Sequence, residues 1–309
     1  MIVLASREAQ EVVGPDEPTG AETRHRIIIG DSRRMREIAD GSVHLVVTSP
    51  PYWSIKDYGM RGQIGFGQSL DQYLSDLSRV WKESARILKP GCRLCINIGD
   101  QYVRATSGRP YHIVPLHAKM VNRAVEASEG ALLYLGSIIW QKISTTRTTG
   151  GASVMGSFGF PRNGYVSLDY EYIAIFRKVG QPPPPPDNKE ASRIDLDEWR
   201  MLFNGHWKFP GARQSGQIAA FPDELPRRLI RMFTYPGDTI LDPFLGSGTT
   251  TKVAKLMGRN SVGYEIGFKT GDGVPFLELI RKKVGFYSVP ANDRDAVFSI
   301  EEGRSGRRS

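Results

Sequence analysis

Cysteine is nearly missing from this chain: two occur in 309 residues, at positions 92 and 95. That excludes a disulfide framework and suits a reducing compartment. Long apolar runs are missing too. The longest, 131–140, is too short to span a bilayer. The opening Met1-Ile-Val-Leu-Ala is shorter than a signal-peptide core and is followed by charge, so a cytoplasmic location is expected, with no membrane partner. The five histidines have no ligand spacing and Cys92-Arg-Leu-Cys95 has no second pair, so no metal is expected. Acidic residues vanish altogether between positions 130 and 168. What is present is an ordinary globular mixture, 40% hydrophobic and 24% charged, which excludes wholesale disorder. The net charge of +8 favours a polyanionic partner.

Short apolar runs alternate with helical spacings. Residues 26–30 and 43–48 read as buried strands, and apolar positions over 70–88 recur at helical intervals until Lys89-Pro90-Gly91 stops them. Further strands are expected at 93–98, 132–140, 172–176, 239–242 and 261–265, with a helix over 249–257. Strand and helix in alternation predict an α/β, Rossmann-like fold: a mostly parallel sheet with helices on both faces. The expected divisions are a flexible arm over 1–24, a first core half over 25–140, an insertion over 141–215, a second core half over 216–290 and a flexible basic tail over 291–309. The insertion is suggested by the acid-free, Thr/Ser/Gly-rich stretch and by the five prolines at 182–186, which suit an extended surface connector.

Two motifs carry chemistry. In the first, Asp242-Pro243-Phe244-Leu245-Gly246-Ser247-Gly248-Thr249 joins a strand to a helix, where glycines permit close backbone approach and the helix start offers free N–H groups. Glu265 ends the next strand, where a carboxylate can grip ribose hydroxyls. A tight turn alone would explain two glycines; Asp242, Phe244, Thr249 and the spaced Glu265 make nucleoside binding the better reading. Thr251 fills the place of a third glycine and no Gly-Lys-Ser/Thr follows, so an adenosine ligand without pyrophosphate is favoured, S-adenosylmethionine being the common one. In the second motif, Thr48-Ser49-Pro50-Pro51-Tyr52-Trp53 follows a strand. The prolines stiffen the loop, Ser49 offers an acceptor, and Tyr52 a flat face for a base.

Together these motifs resemble the exocyclic-amino DNA methyltransferases, with the catalytic motif first, as in the β-group. Gly30-Asp31-Ser32 resembles that family's acidic adenine-side element, and Phe221-Pro-Asp-Glu-Leu its helix before the cofactor strand. Ser at position 49 is most similar to N4-cytosine members. The resemblance implies transfer of a methyl group from S-adenosylmethionine to the N4 amine of a flipped cytosine in duplex DNA. It also implies a restriction-modification setting, with a cognate endonuclease acting on the same sequence. Ser49, Pro50, Pro51 and Tyr52 would act on the base. Asp31, Asp242, Pro243, Phe244, Gly246, Ser247, Gly248, Thr249 and Glu265 would form the cofactor pocket. Trp53 could flank the base or pack the core; Lys142 and Arg147 suit phosphates, and Arg162 base edges. Adenine N6 stays open as the target, as does a DNA-binding relative without catalysis. Methylation at cytosine C5 is rejected, because neither cysteine follows a proline in a catalytic loop.

Overall fold

The computed structural model describes residues 22–54, 57, 59–60, 62–108, 110–143, 162, 166, 168–212, 221–267, 276–284 and 296–302. The chain opens with strands β1 (Thr23–Ile29) and β2 (Val43–Thr48), followed by helix α1 (Leu70–Ile87). Helix α1 forms where the sequence predicts it. Ser69 and Gln72 make a reciprocal capping box, and Tyr73, Leu74, Leu77, Val80 and Trp81 recur at helical spacing and are buried. It stops at Ile87 because Pro90 lacks an N–H donor and disfavours helical backbone at the residue before it.

Strands β3 (Leu88–Ile98), β4 (Gln101–Val103) and β5 (His112–Val114) lead to helix α2 (Leu116–Ala127). Then come β6 (Leu132–Ile143), β7 (Tyr170–Lys178), α3 (Leu196–Leu202), β8 (His206–Pro210) and α4 (Glu224–Phe233). The chain continues through β9 (Thr239–Asp242), α5 (Thr249–Leu256), β10 (Asn260–Glu265), α6 (Phe276–Val284) and β11 (Ala296–Glu302).

Among the described residues, nine strands make one sheet in the order β11-β1-β10-β9-β2-β3-β7-β6-β8. All neighbours in it are parallel except those of β7, which alone runs in reverse. Helices α1 and α2 close one face over Ile28, Val46, Leu94 and Leu241. On the other face α4 and α5 cover Leu45, Val47, Cys95 and Ile240, and α6 covers Ile27 and Ile29. Cys92 packs against the first of these layers and Cys95 lies in the second, as the strand alternation requires. The expected α/β architecture is thus observed. No helix among the described residues is long and apolar enough to cross a membrane.

The expected divisions shift in three places. Strand β1 starts at Thr23, inside the expected arm. Strand β11, inside the expected tail, pairs with β1 from Thr23↔Ala296 to Ile29↔Glu302. Described parts of the 141–215 segment belong to the sheet. Strand β7 sits between β3 and β6, and β8 extends the sheet beyond β6, so both belong to the core. The prolines marked a connector correctly but not a domain edge. They turn against the start of β3, where Gly91 has φ +74° and an added Cβ would collide with the Pro182 backbone.

Candidate active site

The two motifs lie side by side because β2 and β9 are neighbours, pairing through Leu45↔Ile240 and Val46↔Leu241. Thr48, at the end of β2, donates its hydroxyl to Asp242 Oδ1 at 2.8 Å. Asp242, at the end of β9, also accepts from Phe244 N at 3.0 Å and from Thr250 Oγ1 at 2.7 Å. It is 2% exposed, and burial lifts its carboxyl to about 6 although these donors pull it down. The side chain therefore faces inward and ties the motifs together. It does not line the cavity they border.

That cavity opens at the carboxyl ends of β1, β2, β9 and β10 and encloses about 790 Å³ of empty space, its open mouth included. It gathers Asp31, Ser49, Pro50, Pro51, Tyr52, Pro243, Phe244, Gly246 and Glu265 from the expected set. Glu265 is the buried charge of the site. Its two oxygens accept from Gly246 N at 2.9 Å and Ile266 N at 3.0 Å, while burial raises its carboxyl to about 7. A carboxylate so held keeps lone pairs free for a pair of hydroxyl donors. Asp31 is fixed by Arg33, whose Nε lies 2.9 Å from both its oxygens, and Arg33 in turn reaches Asp76 at 2.6 Å.

Ser247, Gly248 and Thr249 are not among the residues that line the cavity. Lys283, from α6, donates to Ser247 Oγ at 2.8 Å and Thr249 Oγ1 at 2.5 Å, so this turn is braced from outside the cavity. Gly248 caps α5 with φ +87°, where a Cβ would stand 3.2 Å from Ile280 and Val284. Trp53 donates its indole N–H to Gln68 O at 2.9 Å and packs against the core, which holds the loop.

The sequence reading missed Met60, Gln63, Ile64, Tyr264 and Ile266, which also line the cavity. The first three belong to the loop after the Ser49 motif. Its signal was a run of glycines at 59, 62, 65 and 67, each with positive φ. Met60 lies directly against Gly267.

Behind Ser49 stands a polar network that the sequence reading did not identify. Asn97, on β3, donates from Nδ2 to Glu171 Oε2 at 2.7 Å and lies 3.5 Å from Ser49 Oγ. Lys142 pairs with the other Glu171 oxygen and sits over the Trp140 ring, so its ammonium is engaged within the protein. Burial first, then the Glu171 charge, hold the Tyr52 phenol well above its ordinary value. Tyr73 donates to the Pro51 carbonyl at 2.9 Å and fixes the second proline. Arg162 is exposed on a turn with φ +81°, and Arg147 lies outside the described residues.

The chain has relatives among known proteins. A DNA methylase family profile, N6/N4, matches residues 43–269. The type II methyltransferase M.MjaI of Methanocaldococcus jannaschii is 40% identical over 275 residues, covering 79% of this chain and 88% of the relative. M.SmaI of Serratia marcescens, also a type II methyltransferase, is 30% identical over 78% of this chain and 86% of its own. Among solved structures, the putative DNA modification methylase TTHA0409 of Thermus thermophilus, in complex with S-adenosyl-L-methionine, superposes with a TM-score of 0.70 and 31% identity. The match covers 91% of this chain and 100% of that one. The PvuII DNA methyltransferase, cytosine-N4-specific, shares the fold at a TM-score of 0.58 and 20% identity, over 88% and 97% of the two chains.

Proposed function

The chain belongs to the N6/N4 DNA methylase family, and from that premise we propose that it methylates the N4 amine of cytosine in duplex DNA, using S-adenosylmethionine. The observation that carries this reading is the cavity shared by the Ser49-Pro50-Pro51-Tyr52 loop and the Glu265, Phe244 and Gly246 wall. The residues fit the methyl donor. Glu265 offers a buried carboxylate to a ribose diol, Phe244 and Ile266 offer apolar faces, and Asp31, after β1, would meet the adenine edge. When bound, S-adenosylmethionine supplies a methyl group made electrophilic by its sulfonium.

The protein's task is positioning. An exocyclic amine shares its lone pair with the ring and is a weak nucleophile. Ser49 Oγ and the Pro50 carbonyl would accept its two hydrogens, drawing the nitrogen toward tetrahedral geometry and aiming its lone pair. The base must leave the duplex, at a cost of roughly a few kcal/mol, which stacking on the Tyr52 ring at about 1–3 kcal/mol would offset. Ser rather than Asp at position 49 supports cytosine over adenine. Arg162 and its acid-free sequence neighbours are the candidates for reading the target sequence. The type II names of the relatives support a restriction-modification setting with a cognate endonuclease.

The test is incubation with unmodified mixed-sequence duplex DNA and methyl-labelled S-adenosylmethionine, followed by digestion to nucleosides and mass spectrometry. N4-methylcytosine is expected. N6-methyladenine would overturn the base assignment and keep the mechanism. Cofactor binding without labelled DNA would mark a non-catalytic relative.

A further inference from the structure

We propose that the β4–β5 hairpin and the start of α2 form a phosphate-binding face that holds the duplex backbone beside the target base, with Arg104 and Lys119 as its cations; this rests on the methyl-transfer reading above. A base turned out toward Ser49 stays tied to its own phosphates, so the duplex has to lie across the carboxyl ends of the strands. Strand β3 runs beside β2 with Ile96 opposite Thr48, and β4 starts at Gln101, just after β3 ends at Ile98. The hairpin therefore rises from the same end of the sheet as the Ser49 loop.

The hairpin has an anchored face and an open one. Its strands pair through Gln101↔Val114, Tyr102↔Ile113 and Val103↔His112. Val103 and Val114 pack into the core layer that also receives Tyr52 and Trp53. Alternation turns Tyr102 and Ile113 the other way, and Ile113 is exposed. The root is fixed: Asp100 accepts from His117 N at 3.0 Å, and the His117 ring stacks on Tyr172 of β7 at 4.1 Å. From 101 to 125 the sequence has no Asp or Glu against four Lys and Arg. Arg104 and Lys119 are exposed, and neither has an acidic partner among the described residues. Arg79, Lys82, Arg86, Arg123 and Lys142 each pair with a carboxylate, so a phosphate would first have to break that pair. The Tyr102 hydroxyl donates to Val166 O at 3.1 Å and accepts from Leu168 N at 2.8 Å. Those two residues close the acid-free stretch that begins at 130. One side chain thus joins two segments without acidic residues at the end of the sheet where the duplex must pass. A polyanionic backbone is the partner that such charge complements.

The experiment measures affinity for fluorescent DNA duplexes of unrelated sequence by anisotropy, over about 50 to 200 mM salt. Each lost phosphate contact lowers the salt slope by about 0.9. Arg104→Ala combined with Lys119→Ala is expected to lower it by about 1.8, so the unaltered chain should lose about 12-fold more affinity across that range than the double variant. The change should be alike for every duplex, since phosphates carry no sequence, and Arg104→Lys should keep the slope. The melting temperature and the dissociation constant for S-adenosylmethionine should stay as they are. As a control, Lys189→Ala combined with Arg193→Ala removes equal charge near the end of α4, where Arg231 holds the carbonyls of Ser192 and Arg193, and should leave the slope unchanged. A double-variant slope within about 0.5 of the unaltered value would overturn the phosphate face, and so would an equal fall in the control, which net charge alone would explain. An unchanged slope in a chain that still methylates DNA removes the hairpin role alone. If the unaltered chain binds no duplex, the functional reading falls and the hairpin role falls with it.

Discussion

Replacing Asp242 by Asn should change how stability depends on pH, by an amount the structure sets. Burial raises the Asp242 carboxyl from 3.8 to about 6. The folded chain therefore holds this proton more tightly than the unfolded chain. The stability this group contributes is complete below about pH 4 and is lost as pH rises through 6. Two units of difference correspond to about 3 kcal/mol, a sizeable part of the roughly 5–15 kcal/mol that stabilises a typical domain. The substituted amide does not ionise. Its Oδ1 still accepts from Thr48 and Phe244, and its nitrogen can donate to Thr250 Oγ1, since a hydroxyl can turn to accept. Urea unfolding of both proteins can be followed by tryptophan fluorescence; Trp81, edge-on to Phe244 at 6.4 Å, is a reporter beside the site. The stability of the unaltered chain relative to Asp242→Asn should fall by about 2.5 kcal/mol between pH 4 and pH 7.5, most of it before pH 6. A difference that stays flat would refute the reasoning, and one that grows with pH would show that the three donors outweigh burial. Asp242→Ala, which leaves three buried donors unpaired at about 1–3 kcal/mol each, should be destabilised at every pH.

Glu265 gives a second pH effect. With its carboxyl near 7 and the ionised form needed to hold ribose, affinity for S-adenosylmethionine should rise about tenfold from pH 6 to pH 8, and a calorimetric titration showing no change would count against that role. Ser49→Ala should lower single-turnover transfer by about 100-fold or more while leaving cofactor affinity alone; retained activity would sink the role given to Ser49. Gly248→Ala must adopt φ +87° against Ile280 and Val284, so it should cost about 1–3 kcal/mol and lower the melting temperature by several degrees in calorimetry.

The elements that were legible in the sequence are those with local signatures. Strand β2 is a continuous apolar run closed by a proline loop, α1 has a capping box and a clean period, and β9, Gly246 and Glu265 keep their spacing whatever surrounds them. Strand β8 carried an alternating signal in Trp207 and Phe209, but five residues of it are too short to stand out. The place of β7 in the sheet could not be read, because pairing order is settled by long-range contact rather than by any local preference. Glu171 escaped for the same reason. It gains meaning only beside Asn97, 74 residues earlier. For Lys142 the charge was visible but not the partner that engages it.

The sheet order also sets a timetable for synthesis. Strand β1, with Ile27 and Ile28 fully buried in the finished protein, is made first yet flanked on both sides by strands made last. His25 waits for Ser261, 236 residues later, which at about 5–20 residues per second leaves it without its neighbour for roughly 12–47 s on the ribosome. Through that interval an apolar strand has two open edges, so the nascent chain should lean on chaperones and give lower soluble yield when translation outruns them. A second effect follows from the same delay. Thr48 meets Asp242 only 194 residues later, and Glu265 comes later still, so a ribosome-bound fragment that ends before them should leave DNA unmarked.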